Sequence, residues 1–196
     1  MMSYPLSFAI GCVCGMIPFS FLLGVIRGVD IRRIGSGNIG ATNLYRSLGP
    51  AYFLAGFILD GVKGLIPVLL CRHWHMVPAL AGAGAILGHV FNPWFGFRGG
   101  KGVSTIIGVA LGLAAKSFLA GLGAWLAVYF ITLIASCASL ALAIVLPLSA
   151  FLLREGSLFD RVLIALLGLL VIVSHRSNIK RLMKGEEPKT ILWRKK

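Results

Sequence analysis

Three glycine-rich polar stretches hold most of the side chains in this sequence that could handle an anion. The first is Gly35-Ser36-Gly37-Asn38-Ile39-Gly40-Ala41-Thr42-Asn43, followed by Arg46. Glycines let consecutive backbone N–H groups converge on a negative charge. Ser36, Asn38, Thr42 and Asn43 add side-chain hydrogen bonds, and Arg46 offers a planar fork that matches a phosphate. Alone, the stretch reads equally well as a phosphate loop or as a flexible loop with helix-capping residues. The second is Gly88-His89, then Phe97-Arg98-Gly99-Gly100-Lys101-Gly102, a basic turn opening a helix, which is a natural anion site. It is not a Walker A loop: Gly102 follows Lys101 where Ser or Thr belongs, and Phe95 stands where the leading glycine should be. The third is His175-Arg176-Ser177-Asn178-Ile179-Lys180-Arg181, running to Gly185-Glu186-Glu187. His175 and Asn178, three apart, share a helix face.

Other polar residues carry weaker signals. Asp60 and Lys63 lie three apart in an apolar run and read first as a structural ion pair, second as a substrate contact. His73 and His75 make no metal constellation, since zinc needs three or four ligands, and no metal or cofactor is expected. Ser139 reads as a helix cap. The cysteines, Cys12, Cys14, Cys71 and Cys137, form no CxxC pair and read as small apolar residues. A G-x-S-x-G elbow is missing, and no histidine is followed by aspartate at the fifth position, so a His-x4-Asp pattern is missing too.

What must position these residues is a membrane bundle. Hydrophobic residues make up 58% of the 196 and charged residues 13%, about half the charge of a soluble domain. Mean hydropathy is +0.90. The net charge of +13 would suggest nucleic acid on a soluble domain. Here the basic residues lie between and after apolar runs, which points to an anionic leaflet and anionic substrates. No cleavable signal is expected, since the first apolar run starts without charge and is followed by Arg27, Arg32 and Arg33.

The apolar runs predict seven transmembrane helices in an all-α, polytopic fold, at roughly 4–26, 51–71, 76–91, 103–115, 117–137, 139–153 and 158–174. The fourth and sixth are short. Seven spans put Arg27, Arg32, Arg33, Arg46, Arg98, Lys101 and the basic tail after 175 on one side. The other side keeps only Arg72, Lys116, Arg154 and Arg161. The positive-inside rule then places the N-terminus outside and the C-terminus in the cytoplasm. All three polar stretches share that cytoplasmic face. Gly11/Gly15, Gly84/Gly88 and Gly108/Gly112 predict tight helix contacts. The tail reads as a positive-inside anchor or a short interfacial helix.

Taken together, GSGNIGATNLYRSLG (35–49), GH…FRGGKGVST (88–105) and HRSNIKRLMKGEEPK (175–189) resemble the PlsY family, the bacterial acyl-phosphate-dependent glycerol-3-phosphate acyltransferases. The resemblance spans the whole chain, with IPFSFLLG (17–24), LDGVKG (59–64) and SLALAI (139–144) among its blocks. It implies one membrane-embedded domain over 1–196, in the bacterial inner membrane, with its active site facing the cytoplasm. The implied substrates are a fatty acyl phosphate and glycerol 3-phosphate; the products are lysophosphatidic acid and phosphate, an early step of phospholipid synthesis. It assigns Ser36 and Arg46 to a phosphate site, with Gly37, Asn38, Gly40, Thr42 and Asn43 completing the loop. Gly99, Gly100, Lys101 and Gly102 are expected to hold glycerol 3-phosphate, and Ser139 to lie near the acceptor. His175 and Asn178 are expected to be needed for activity, and Glu186 or Glu187 to be structural. One departure is Asn92, which stands where the family usually has proline, so the local turn is expected to differ. No nucleic acid and no obligatory protein partner are implied. A transporter for phosphate or a phosphorylated lipid fits the composition too. The clustering of motifs on one side and the lack of an internal repeat speak against it, and a non-catalytic membrane subunit leaves the motifs unexplained.

Overall fold

The computed structural model describes residues 2–191, which contain ten α-helices and no strand. They are α1 (Ser3–Met16), α2 (Phe19–Ile26), α3 (Ala41–Leu48), α4 (Pro50–His73), α5 (Pro78–Val90), α6 (Val103–Leu113), α7 (Ala115–Thr132), α8 (Ala135–Leu152), α9 (Leu158–Ser174) and α10 (Arg176–Met183). Single 3₁₀ turns at Ile31–Arg33 and Pro93–Phe95 punctuate the first two polar loops.

Four apolar stretches are long enough to cross a bilayer: 3–26, α4, α7 and α8. The α9–α10 pair, bent by 56°, makes a fifth if counted as one span. By length, then, four or five of the seven expected spans are present. α5 has 13 residues and α6 has 11, near 20 Å and 17 Å at ~1.5 Å per residue, short of a ~30 Å hydrocarbon core. The first expected span is also broken. Pro18 supplies no N–H, and the helix restarts at Phe19 as α2.

Close backbone contact holds the bundle together. A Cβ on Gly11 would lie 2.0 Å from the Ala81 carbonyl oxygen, and one on Gly84 would lie 2.2 Å from that of Phe8. The small-residue stripes of α1 and α5 therefore face each other, as expected of such spacings. Gly64 and Gly108 make the same kind of approach between α4 and α6. α5 is buried along most of its length, which a helix rich in glycine and alanine permits.

The break at Pro18 leaves carbonyls of α1 without helical partners, and polar side chains from elsewhere take them. Asn92 Nδ2 donates to Met16 O at 2.8 Å, and its Oδ1 accepts from Trp94 N. Asparagine thus both caps the 93–95 turn and pins that turn to α1. Lys63 Nζ donates to Ile17 O at 2.6 Å and lies 2.7 Å from Asp60 Oδ1. Ser20 Oγ on α2 donates to Asp60 Oδ2. The Asp60–Lys63 pair is therefore real, and it staples the broken helix to α4. Lys63→Met would leave the Asp60 carboxylate buried without its partner, at a cost of about 3–5 kcal/mol. We expect a large drop in thermal midpoint in detergent, mostly recovered when Asp60→Asn is added; equal losses in the single and double variants would contradict this role.

Candidate active site

Successive helices bring alternate ends to one pocket. Phe53, Phe57 and Asp60 come from the first half of α4, His89 from the end of α5, and Val103 and Ser104 from the start of α6. Trp125 comes from α7, Ala135, Ser136 and Ser139 from the start of α8, and His175 from the end of α9. The three polar stretches, distant in sequence, thus close a single cavity.

The first loop is organised around Asn43. Its Nδ2 donates to Ile31 O and Ile34 O, at 2.6 and 3.0 Å, while its Oδ1 accepts from Ser36 N. Asn38 Oδ1 accepts from Gly40 N, and its Nδ2 reaches Gly99 O of the second loop at 3.3 Å. Gly37 N donates to Ile34 O. The expected anion nest is corrected here: the N–H groups of Ser36, Gly37 and Gly40 are spent inside the loop. Asn43 is a scaffold, and Gly37, at φ +68°, supplies a left-handed turn that side chains disfavour. What the loop presents to the cavity is Ser36, Asn38, the first turn of α3 at Ala41 and Thr42, and Arg46 one turn on. Burial and Arg181 press the Arg46 pKa down while Glu187 opposes them; a guanidinium stays charged regardless.

The second loop packs against the end of α5. Gly99 N donates to Val90 O and Gly100 N to His89 O, at 2.9 and 3.1 Å. A Cβ on Gly99 would sit 1.9 Å from His89 O, and one on Gly100 would sit 2.0 Å from His89 Nε2. This too corrects an expectation. Both glycines are required by packing, and their N–H groups cap α5 instead of facing a ligand. Gly102, at φ +83°, starts α6 without a side-chain cap, so the positive end of that helix opens on the cavity. Lys101 stands between these elements.

The third stretch turns at His175, where α9 meets α10. His175 is 3% exposed. Its Nδ1 lies 2.8 Å from Val171 O, and since a carbonyl only accepts, Nδ1 carries the hydrogen and Nε2 the lone pair. Burial, together with Lys101, lowers its pKa to about 4 against opposing contributions from Val171 O and Glu187, so the ring is neutral at pH 7. Asn178 accepts from Lys101 Nζ through Oδ1 and donates through Nδ2 to Glu187 Oε1 at 2.6 Å. Glu187 also accepts from Ser136 Oγ at 2.9 Å and Arg181 Nε at 2.6 Å. Burial alone would raise the Glu187 pKa, but these donors bring it below the ordinary carboxylate value. For Lys101, burial dominates and lowers the pKa to about 8, with Glu187 opposing and Arg181 and Arg46 adding to the fall.

Ser36, Arg46, Lys101, His175, Asn178 and Ser139 therefore share one cavity, with Asn38, Gly40, Thr42, Asn43 and Gly102 also on its wall. Gly37, Gly99 and Gly100 line a second cleft that shares Ser36, Asn38 and Lys101 and is bordered by Arg98 and Arg176. Glu187 is the acidic residue of the site; Glu186 is exposed and outside it. Ser139 is not a cap. It lies in the second turn of α8, donates to Ala135 O and accepts from Trp125 Nε1. Sequence reasoning missed Ser136, Thr190, Trp125, Phe53 and Phe57. Only Ser136 left a trace, one helical turn before Ser139. No group of His, Cys, Asp and Glu suited to a metal occurs among the described residues.

A family model described as glycerol-3-phosphate acyltransferase matches residues 5–185. A glycerol-3-phosphate acyltransferase of Mesorhizobium japonicum is 41% identical over 192 residues, covering 96% of this chain and 97% of its own length. One from Methylorubrum extorquens is 42% identical over 180 residues, covering 91% and 88%. The crystal structure of PlsY (YgiH), an integral membrane glycerol 3-phosphate acyltransferase, in its glycerol 3-phosphate form superposes with a TM-score of 0.91 at 33% identity and 96% coverage of both chains. Its lysophosphatidic acid form gives 0.88 at 32% identity, covering 97% of this chain and 96% of that one. The chain belongs to the glycerol-3-phosphate acyltransferase (PlsY) family and is an integral membrane acyltransferase of phospholipid synthesis.

Proposed function

We propose that this protein transfers a fatty acyl group from acyl phosphate to the sn-1 hydroxyl of glycerol 3-phosphate, giving 1-acyl-glycerol 3-phosphate and inorganic phosphate. One observation carries the reading: Arg46, Lys101 and two helix N-termini converge on a cavity whose other wall is Phe53, Phe57 and Trp125. Such a site suits an anionic head beside an apolar chain. The acceptor hydroxyl attacks the acyl carbon, the bond from that carbon to the phosphate oxygen breaks, and the hydroxyl proton leaves on the departing phosphate. The protein need only hold two anions together and offset their charge. Arg46 and Ser36 take the donor phosphate. Lys101 and Asn178 take the acceptor, with Ser139 close by. Neutral His175 offers its Nε2 lone pair as a hydrogen-bond acceptor to orient the attacking hydroxyl.

The same reading treats the chain as one membrane-embedded domain with seven passes in the bacterial inner membrane, N-terminus outside and site facing the cytoplasm. Alternation of helix ends around the pocket supports seven passes, and the positive-inside pattern supports the orientation. α5 ends and α6 begins at the pocket, so their shortness sinks the site below the bilayer surface, where an acyl chain already lies.

The test is phosphate release by purified protein in detergent, given palmitoyl phosphate with and without glycerol 3-phosphate. Release that requires the acceptor and yields lysophosphatidic acid is the expected result; no release from folded protein would overturn the reading. Arg46→Ala should lower kcat/KM about a hundredfold, the size of a lost charged hydrogen bond in a desolvated site; an unchanged value would remove Arg46 from the phosphate site. Because the Lys101 pKa is lowered to about 8, the ammonium loses its charge as pH rises through that value. KM for glycerol 3-phosphate should therefore climb above pH 8, and Lys101→Arg, still charged at pH 10, should flatten the climb. Identical pH profiles would contradict it.

A further inference from the structure

Past the third polar stretch, and past the residues matched by the family model, the described residues 190 and 191 lie outside any helix yet are firmly held. Thr190 is 1% exposed and lines the cavity. Its N–H donates to Leu133 O at 2.7 Å. Its carbonyl accepts from the Tyr129 hydroxyl at 2.5 Å, and the next carbonyl, Ile191 O, accepts from the Tyr45 hydroxyl at 2.6 Å. Both tyrosines are buried and come from different helices, α3 and α7. Three hydrogen bonds thus clamp two residues of irregular backbone. Three residues upstream, the same segment carries Glu187, which orients Asn178, which in turn accepts from Lys101.

We infer that residues 187–191 form a strap that positions Lys101, and that the phenol groups of Tyr45 and Tyr129 are the positioning residues that hold the strap in place. The route is continuous: phenol to strap carbonyl, strap to Glu187 carboxylate, carboxylate to Asn178 amide, amide to Lys101 ammonium. Tyr129 is well seated for this. Its ring stacks on Trp125 at 5.0 Å between centroids, so removing the hydroxyl leaves the ring in its packed position. Ser136 steadies the strap from α8 through the same carboxylate.

The role of Lys101 in turnover rests on the acyl-transfer reading above, so the experiment has one readout that needs turnover and one that does not. Tyr45→Phe, Tyr129→Phe and the double variant are assayed for KM and kcat with glycerol 3-phosphate. In parallel, Lys101 is labelled with a small amine-reactive reagent and the extent is read by mass spectrometry. We expect KM to rise about fivefold in the double variant, the size of one lost positioning hydrogen bond, with kcat changed less, and Lys101 labelling to quicken by a similar factor. In a Glu187→Gln background the tyrosine changes should add nothing further. Ser136→Ala, which removes one donor to the same carboxylate, is the second background should Glu187→Gln not fold, and there the tyrosine effects should shrink. Unchanged Lys101 labelling in the double variant, or tyrosine effects of full size in both backgrounds, would overturn the strap. Altered labelling without any wild-type turnover would keep the strap and discard the acyl-transfer reading.

Discussion

The carboxylate of Glu187 is the interaction on which the rest of the site depends. It accepts from Ser136, Asn178 and Arg181, and so ties α8, α10 and the tail into one unit. Through Asn178 it reaches Lys101. Arg46, Lys101 and Arg181 crowd the same region: beside burial, Arg181 depresses the pKa of Arg46 and of Lys101, Arg46 depresses that of Lys101, and Glu187 opposes each fall. One carboxylate offsets three cations only in part. On the proposed function, the remaining positive charge is what an anionic substrate completes, because buried charge is tolerated when it is paired. The other carboxylate on the pocket wall, Asp60, is already matched to Lys63 and leaves that balance unchanged.

The membrane imposes the second constraint. Every backbone group in the apolar region needs a partner, and at two of its helix ends this fold supplies partners from elsewhere in the chain. Met16 and Ile17 carbonyls at the Pro18 break meet Asn92 and Lys63. The carbonyls of His89 and Val90 at the end of α5 meet the N–H groups of Gly100 and Gly99. Glycines of the second loop therefore serve the fold first. They let the loop lie directly on α5, and that contact brings Lys101 to the first turn of α6.

Much of this was legible in the sequence because side-chain type and spacing survive folding. His175 and Asn178, three apart, both reach the pocket, although the chain turns at His175 and the two do not share one helix. Asp60 and Lys63, at the same spacing, do pair. The facing glycine stripes of α1 and α5 follow from Gly11/Gly15 and Gly84/Gly88. What could not be read is where a hydrogen-bond donor is spent. Glycine-rich loops promised free N–H groups, yet those of Ser36, Gly37 and Gly40 go to Asn43, Ile34 O and Asn38, and those of Gly99 and Gly100 go to the α5 carbonyls. Helix ends were also hidden within continuous apolar runs. The turn between α7 and α8 falls at 133–134, not 137–139, which moved Ser139 from a cap to the pocket wall. Trp125, Phe53 and Thr190 reach the site only through packing, and no local pattern marks them.

On the proposed function the protein holds two anions that react with each other, with Ser36 binding phosphate and no base partner activating it as a nucleophile. The most direct test is to incubate the purified protein with palmitoyl phosphate in the absence of glycerol 3-phosphate, quench, digest and weigh the peptide containing Ser36. Direct transfer predicts an unmodified peptide and intact donor until the acceptor is added. An acyl group on Ser36, formed with a matching burst of phosphate and discharged by glycerol 3-phosphate, would contradict it.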